Sequence, residues 1–187
     1  MRRTATITAL LLAATFTAGC SGDSDSDKPT VSKAATSQSA SDSPSPSPSP
    51  TPETYKLGDT VDIKADTAFT TAALAIQESG IVGVPGALRS GQRWTAVEVR
   101  VCNKGSGPIT VTPFVWQLAY ADGARFEATS MSGGDFPQPL YPVDAKVRGG
   151  DCVRGHVLFE VPKAGKAERV LYSPDALDEP VEWQLAK

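Results

Sequence analysis

Three cysteines and one histidine carry most of the reactive chemistry open to this 187-residue chain. Cys20 sits at an abrupt change of composition: small and apolar residues precede it, and Ser, Asp and Gly follow it, in "LLAATFTAGCSGDSDSDKP". Cys102 and Cys152 lie in a later region of alternating hydrophobicity, and His156 follows the second of them by four residues. With a single histidine, a zinc site built on several imidazoles cannot form, and a Ser-His-Asp triad would have to use His156. The cysteine spacing matches no zinc pattern. No G-x-S-x-G, S-x-x-K, C-x-x-C or G-x-x-x-x-G-K-[ST] occurs. Gly80, Gly83 and Gly86 are spaced by three but lack the strand and helix context of a nucleotide loop, and read as loop flexibility. Asp178-Glu179 falls in a turn-like "DALDEP" and reads as solvated. A glycosidase built on two carboxylates remains open in principle, although no feature favours it. The sequence carries no cofactor signature, and the expectation is a protein that is not an enzyme.

The elements that would position these residues begin with an export signal. Arg2 and Arg3 give a basic start, and Ile7 to Ala18 form an apolar run of signal-peptide length. That run is shorter than the ~20 residues a spanning helix needs. Thr17-Ala18-Gly19-Cys20 resembles the bacterial lipobox at Ala18, Gly19 and Cys20, and departs from it at Thr17, where an aliphatic residue is usual. The resemblance implies a diacylglyceryl group on Cys20 after removal of residues 1–19. Two acyl chains anchor stably where one holds marginally, so the expected location is the extracytoplasmic face of the cell membrane. The alternative is ordinary cleavage that leaves Cys20 an unmodified thiol.

Residues 20–53 then form a lipidated cysteine and a Ser/Pro-rich linker. From Ser21 to Glu53 there is one Val and no Leu, Ile or aromatic residue, and Ser-Pro repeats run from Ser43 to Pro50. Such composition predicts disorder, with the Pro-rich part extended at ~3.1 Å per residue as a semi-rigid spacer. A glycosylated stalk is the other reading, and it assigns the same spacing role.

Residues 54–187 suit one domain with one core. Lys and Arg number 14 here against 16 Asp and Glu, spread without blocks, which argues against nucleic acid or an anionic surface as the main partner. Period-two alternation indicates strands almost throughout. Val97, Val99 and Val101 share one face, with Glu98, Arg100 and Cys102 on the other. Phe114, Trp116, Leu118 and Tyr120 share a face and run into Asp122-Gly123, a hairpin signal with Arg125 to Ala128 returning. Val153, Val157, Phe159 and Val161 share a face up to Pro162, which stops the strand. Glu168 to Tyr172, Val181 to Leu185, Asp59 to Ile63 and Phe69 to Gln77 complete the set, although "TTAALAIQE" could also form a helical turn. The expectation is an all-β, immunoglobulin-like antiparallel β-sandwich of seven or eight strands.

The order "WTAVEVRVCNKG", then "VWQLAYADG", then "GGDCVRGHVLFEVP" resembles the uncharacterised immunoglobulin-like domain of many Gram-positive and actinobacterial lipoproteins, related in fold to a secreted mycobacterial immunoprotective antigen. The resemblance spans most of residues 90–185. It rests on turn glycines, core aliphatics and a strand-ending proline, so it implies a fold and names no active site.

If Cys20 carries lipid, Cys102 and Cys152 remain as a pair in an oxidising compartment, where disulfides persist. Their parity places both sulfurs on the outer face, so a bridge would join neighbouring strands of one sheet and would not cross the sandwich. Direct antiparallel pairing then sets Arg100 opposite Arg154 and Glu98 opposite His156. Like charges face to face are unfavourable unless neutralised, which suggests an anion-accepting patch of Arg100, Arg154 and His156. The alternative is diagonal neutralisation by Glu98 and Glu160 on an ordinary solvated face.

Two long loops, residues 80–92 and 130–150, are rich in Gly and Pro yet carry Leu88, Phe136 and Tyr141. They are candidate partner surfaces, or else their apolar side chains fold back on the sandwich. Trp94, Trp116 and Trp183 read as core, Trp94 being the least clear by parity. The function expected is a non-catalytic binding or accessory module tethered to the membrane through Cys20, engaging a protein, a cell-wall polymer or a small anion. The competing readings are a cell-envelope enzyme with an unrecognised carboxylate site and a passive structural spacer.

Overall fold

The computed structural model describes residues 30–33 and 54–186; the export signal, Cys20 and the remainder of the Ser/Pro-rich linker lie outside the described residues. The strands are β1 (Thr30–Lys33), β2 (Tyr55–Lys56), β3 (Thr60–Lys64), β4 (Phe69–Gln77), β5 (Gln92–Asn103) and β6 (Ile109–Val111), then β7 (Trp116–Tyr120), β8 (Arg125–Thr129), β9 (Ala145–Val147), β10 (Cys152–Pro162), β11 (Ala167–Tyr172) and β12 (Val181–Gln184). The class is the expected all-β sandwich, with more strands than the seven or eight expected.

One sheet runs β1-β3-β4-β5-β10 and the other β7-β11-β12-β2, with β8 paired to both β10 and β7 so that the ladder folds round between the layers. β6 and β9 form a separate two-stranded ladder. Among the strands described, all pairings are antiparallel except β2 with β12. The inward rows meet as the alternation requires. Val61, Ile63, Val97, Val99, Val101, Val157, Phe159 and Val161 of the first sheet pack against Trp116, Leu118, Val170, Tyr172, Val181 and Trp183 of the second. Trp116 lies 4.6 Å from Tyr172 and 5.7 Å from Trp183, ring centre to ring centre. Burying a large apolar side chain contributes about 1.5–3 kcal/mol. Trp183 donates its indole N–H to the Asp59 carbonyl at 3.0 Å, which ties β12 to the turn before β3 across the open side of the sandwich.

Phe69–Gln77 is the expected strand, with a bulge between Ala73 and Ala75; its position between β3 and β5 overrides the helical preference of its alanines. Two expectations change. Phe114 does not continue the Trp116 face: Pro113–Val115 is a 3-10 turn, and Phe114 stands 49% exposed. Within the stretch read as spacer, Thr30–Lys33 adds to the edge of β3 as β1, pairing Val31 with Ile63 and Lys33 with Val61. The single valine of that stretch is half-buried against the core, and an unpaired sheet edge accepts any short extended segment that fits.

Candidate functional site

The outer face of β5 and β10 takes its register from the cysteines. Cys102 and Cys152 are direct partners joined by a disulfide, followed by Val101 with Val153, Arg100 with Arg154, and Glu98 with His156. This is the register that side-chain parity predicts. Its electrostatics are those of a neutralised face. Arg154 donates its Nε–H to Glu98 Oε1 at 2.7 Å, diagonally across the pair. That hydrogen bond, more than the ionic attraction, holds the Glu98 carboxyl below its usual range. Arg100 turns the other way and donates to Thr60 Oγ1 at 3.3 Å. The His156 Nδ1 lies 3.1 Å from the Pro139 carbonyl, a contact that a protonated Nδ1 donates. Arg100, Arg154 and His156 are thus brought together as expected but do not form an open anion cradle, since each already has a protein partner. Glu160 plays no part in the neutralisation; its Oε1 is buried without a hydrogen-bond partner.

Most apolar side chains of the two long loops fold back onto the sheet, while Val82 and Val143 stay exposed. Phe136 packs edge-to-face on Trp94 at 5.0 Å. With Ala96 and Leu158 they make a second small core on the outer face, and Ile81, Val84, Leu88, Met131 and Leu140 pack around it. Phe136 and Tyr141 are each only 5% exposed and Leu88 is half-buried, which corrects their reading as partner-contact residues. The physical reason lies in β5 and β10: Trp94, Ala96 and Leu158 give the outward parity an apolar patch that has to be covered. Three apolar residues on the solvent parity of adjacent strands were the signal in the sequence. Gly83 also serves a different purpose from flexibility. A Cβ there would sit 2.4 Å from the Trp94 indole nitrogen and 2.6 Å from Phe136, so only glycine lets the loop lie this close. Farther along, Pro139–Tyr141 docks on the free edge of β10, with Tyr141 N–H donating to the His156 carbonyl at 2.9 Å and His156 N–H to Pro139 O at 2.8 Å. Tyr141 thereby enters the main core, where burial pushes its phenol pKa up, with the neighbouring Tyr172 adding to the effect.

What remains open is one end of the sandwich. A cavity of about 300 Å³ lies between the β3–β4 turn, β6 and the segment after β11, lined by Asp66, Thr67, Phe69, Ile109, Val111 and Tyr172 among others. Phe69 and Tyr172 meet edge-to-face at 6.3 Å. Burial pushes the Tyr172 phenol pKa up, so it stays protonated. Asp66 is the one charged residue of the lining. Such a site can hold a small apolar or aromatic group that presents a hydrogen-bond donor to the carboxylate. The alternation of the strands did not point to this cavity, because it forms where two connections meet the short strand β6.

Beside it, Asn103 organises the turn that ends β5. Its side-chain amide donates to Gly107 O at 2.7 Å and Val147 O at 3.0 Å, while its Oδ1 accepts from Gly105 N–H at 2.9 Å. A fully buried amide thus fastens β5, the β5–β6 turn and β9 together. Among the described residues, no group of three or more His, Cys, Asp or Glu is placed to hold a metal ion.

Strand order, an aromatic core between two sheets and one open end define an immunoglobulin-like β-sandwich. The family of the domain of unknown function DUF4352 matches residues 55–181, and the chain belongs to it. Among solved structures, the chain is similar to MPT63, a secreted protein from Mycobacterium tuberculosis, at 16% identity and a TM-score of 0.58, over 73% of this chain and 100% of that one. It is also similar to the yjhA protein from Bacillus subtilis, at 15% identity and a TM-score of 0.51, over 71% and 99%. No curated protein matches the chain.

Proposed function

We propose that the chain is an extracytoplasmic, membrane-tethered binding or accessory module that holds a ligand or partner and performs no chemistry on it. The observation that carries the compartment is the Cys102–Cys152 bridge between directly paired residues of neighbouring strands, a cross-link that persists in oxidising surroundings. Cys20 at the end of an export signal supplies the tether. The secreted mycobacterial neighbour is in keeping with an exported location. Binding without catalysis is supported by the end cavity, whose walls are mainly apolar and hold a single carboxylate, where acid-base work calls for convergent ionisable groups.

Two measurements test the two halves. Palmitate labelling in the native host should be lost in Cys20→Ser; equal label uptake by wild type and variant would exclude lipid on that thiol. A photo-crosslinking residue at Thr67, on the cavity rim, should capture a specific molecule that the same residue at exposed Val82 does not. Capture of nothing from Thr67 would favour a passive spacer.

A further inference from the structure

With Cys20 as anchor, the Ser/Pro-rich stretch gives the domain a tether 34 residues long, from Cys20 to Thr54, with a reach of ~110 Å when extended. β1 changes this, because Thr30, ten residues after Cys20, is already on the sheet. We propose that the edge of β3 is a docking site for the chain's own Thr30–Lys33 segment, and that this docking, in place of linker length, sets the height and orientation of the domain at the membrane. The proposal rests on the lipid-anchor reading for its membrane consequence, but not for the docking itself.

The fit of the segment is specific. Val31 lies opposite Ile63 and is half-buried, while Lys33 lies opposite Val61 and reaches Asp59 Oδ1 at 2.8 Å. The hold is also light: four residue pairs, and an ion pair whose lysine is 58% exposed, of a kind that contributes little. A segment held this way opens far more readily than the core strands.

The length of the connection that follows points the same way. The Asp59 carboxylate takes Lys33 on one oxygen and the Lys56 N–H, at 2.9 Å, on the other. Lys33 and Lys56 therefore flank one side chain, and a few residues would join them. The sequence has residues 34–53 between Lys33 and Thr54 instead. That length has no use in spacing while β1 is docked, and full use once β1 leaves.

Docked, the tether is ten residues and the reach ~33 Å. Because Thr30 pairs with Lys64, the tether joins the sheet at the end of β3 that leads into the β3–β4 turn, and the end of the sandwich bearing the cavity is held nearest the bilayer. Released, the same domain stands off at up to the full reach and turns freely. The two states thus differ in whether the cavity meets ligands at the membrane or beyond it.

The test has two arms. In the mature chain carrying Cys20→Ser, free in solution, amide exchange of Val31 to Lys33 should be slowed at least tenfold relative to the same chain with Val31→Asp. Lys33→Glu, which sets a second carboxylate against Asp59, should abolish the slowing too, and both variants should keep the melting transition of the core. Equal exchange in all three chains would overturn the docking. In the second arm, lipidated wild type and Val31→Asp are reconstituted on a supported bilayer and the height of the domain is read by neutron reflectometry. A rise of tens of ångströms in the variant supports the proposal, and equal heights overturn it. Wild type that shows docking in solution but takes up no lipid at Cys20 in the native host would instead overturn the anchor reading alone.

Discussion

Asn103 shows how much one polar side chain can organise. Every part of its amide is engaged, and its three partners, Gly105 and Gly107 in the β5–β6 turn and Val147 in β9, tie two segments to the end of β5. Asn103→Ala leaves the buried Val147 carbonyl and two part-buried groups, Gly107 O and Gly105 N–H, without partners and should cost about 2 kcal/mol, read as a shift in the urea midpoint with unchanged slope. Phe136→Ala tests a different claim. If Phe136 closes the small core over Trp94, its loss should cost about 3 kcal/mol in the same measurement, as for a buried aromatic truncated to alanine. A surface residue in a mobile loop would cost almost nothing. The single charged face near the disulfide behaves likewise as structure: Arg154, Arg100 and His156 are spoken for by Glu98, Thr60 and Pro139.

At the scale of elements, the pairing of β5 with β10 is the most consequential contact, running from Cys102 with Cys152 to Gln92 with Pro162. The disulfide fixes its register at one end and closes a loop of 50 residues, which on the chain-entropy account stabilises by about 4 kcal/mol. Cys102→Ser with Cys152→Ser should lower the thermal midpoint accordingly while leaving the far-ultraviolet spectrum of the folded state unchanged. The opposite edge of β10 depends on Gly155. A Cβ there would lie 2.7 Å from Tyr141 N and 2.8 Å from Leu140 C, so Gly155→Val should lift Pro139–Tyr141 off the strand. Hydrogen exchange would report it as faster exchange at the Tyr141 and His156 amides, with β5 amides unaffected.

Across the whole molecule, the charge arrangement predicts a pH response of definite sign. Asp59 is held below its usual value of 3.8, first by the Lys33 hydrogen bond and then by the Lys56 N–H, and Glu98 below 4.5, first by its hydrogen bond with Arg154. A carboxyl whose pKa is lowered on folding stabilises the fold fully above its unfolded value and ceases to do so as pH falls through the folded one. Through Glu98, whose partner Arg154 lies on the core strand β10, the melting temperature should decline as pH falls below about 4.5. Glu98→Gln should flatten part of that decline, and an unchanged profile would show that the Arg154 contact does not persist in solution. Protonation of Asp59 also removes a support of β1, so acid should release the tether strand before the core unfolds.

What the residues settled unaided was everything governed by period-two alternation: the all-β class, the inward valines of β5 and β10, the Asp122-Gly123 hairpin, and the register through Cys102 and Cys152. Alternation is local, and a strand's two faces follow from the geometry of the extended backbone whatever lies beyond it. Tertiary structure alone decided which outward residues were covered and which segments from elsewhere filled an edge. Trp94 became core because a distant loop supplied Phe136, and Tyr141 because β10 left two backbone groups unpaired beside Gly155. Thr30–Lys33 became a strand because β3 offered an edge, and the cavity exists because two connections and the short strand β6 meet at one end. None of these depends on the residue's own neighbours in sequence; each depends on a surface that comes into being only when the sheets have closed.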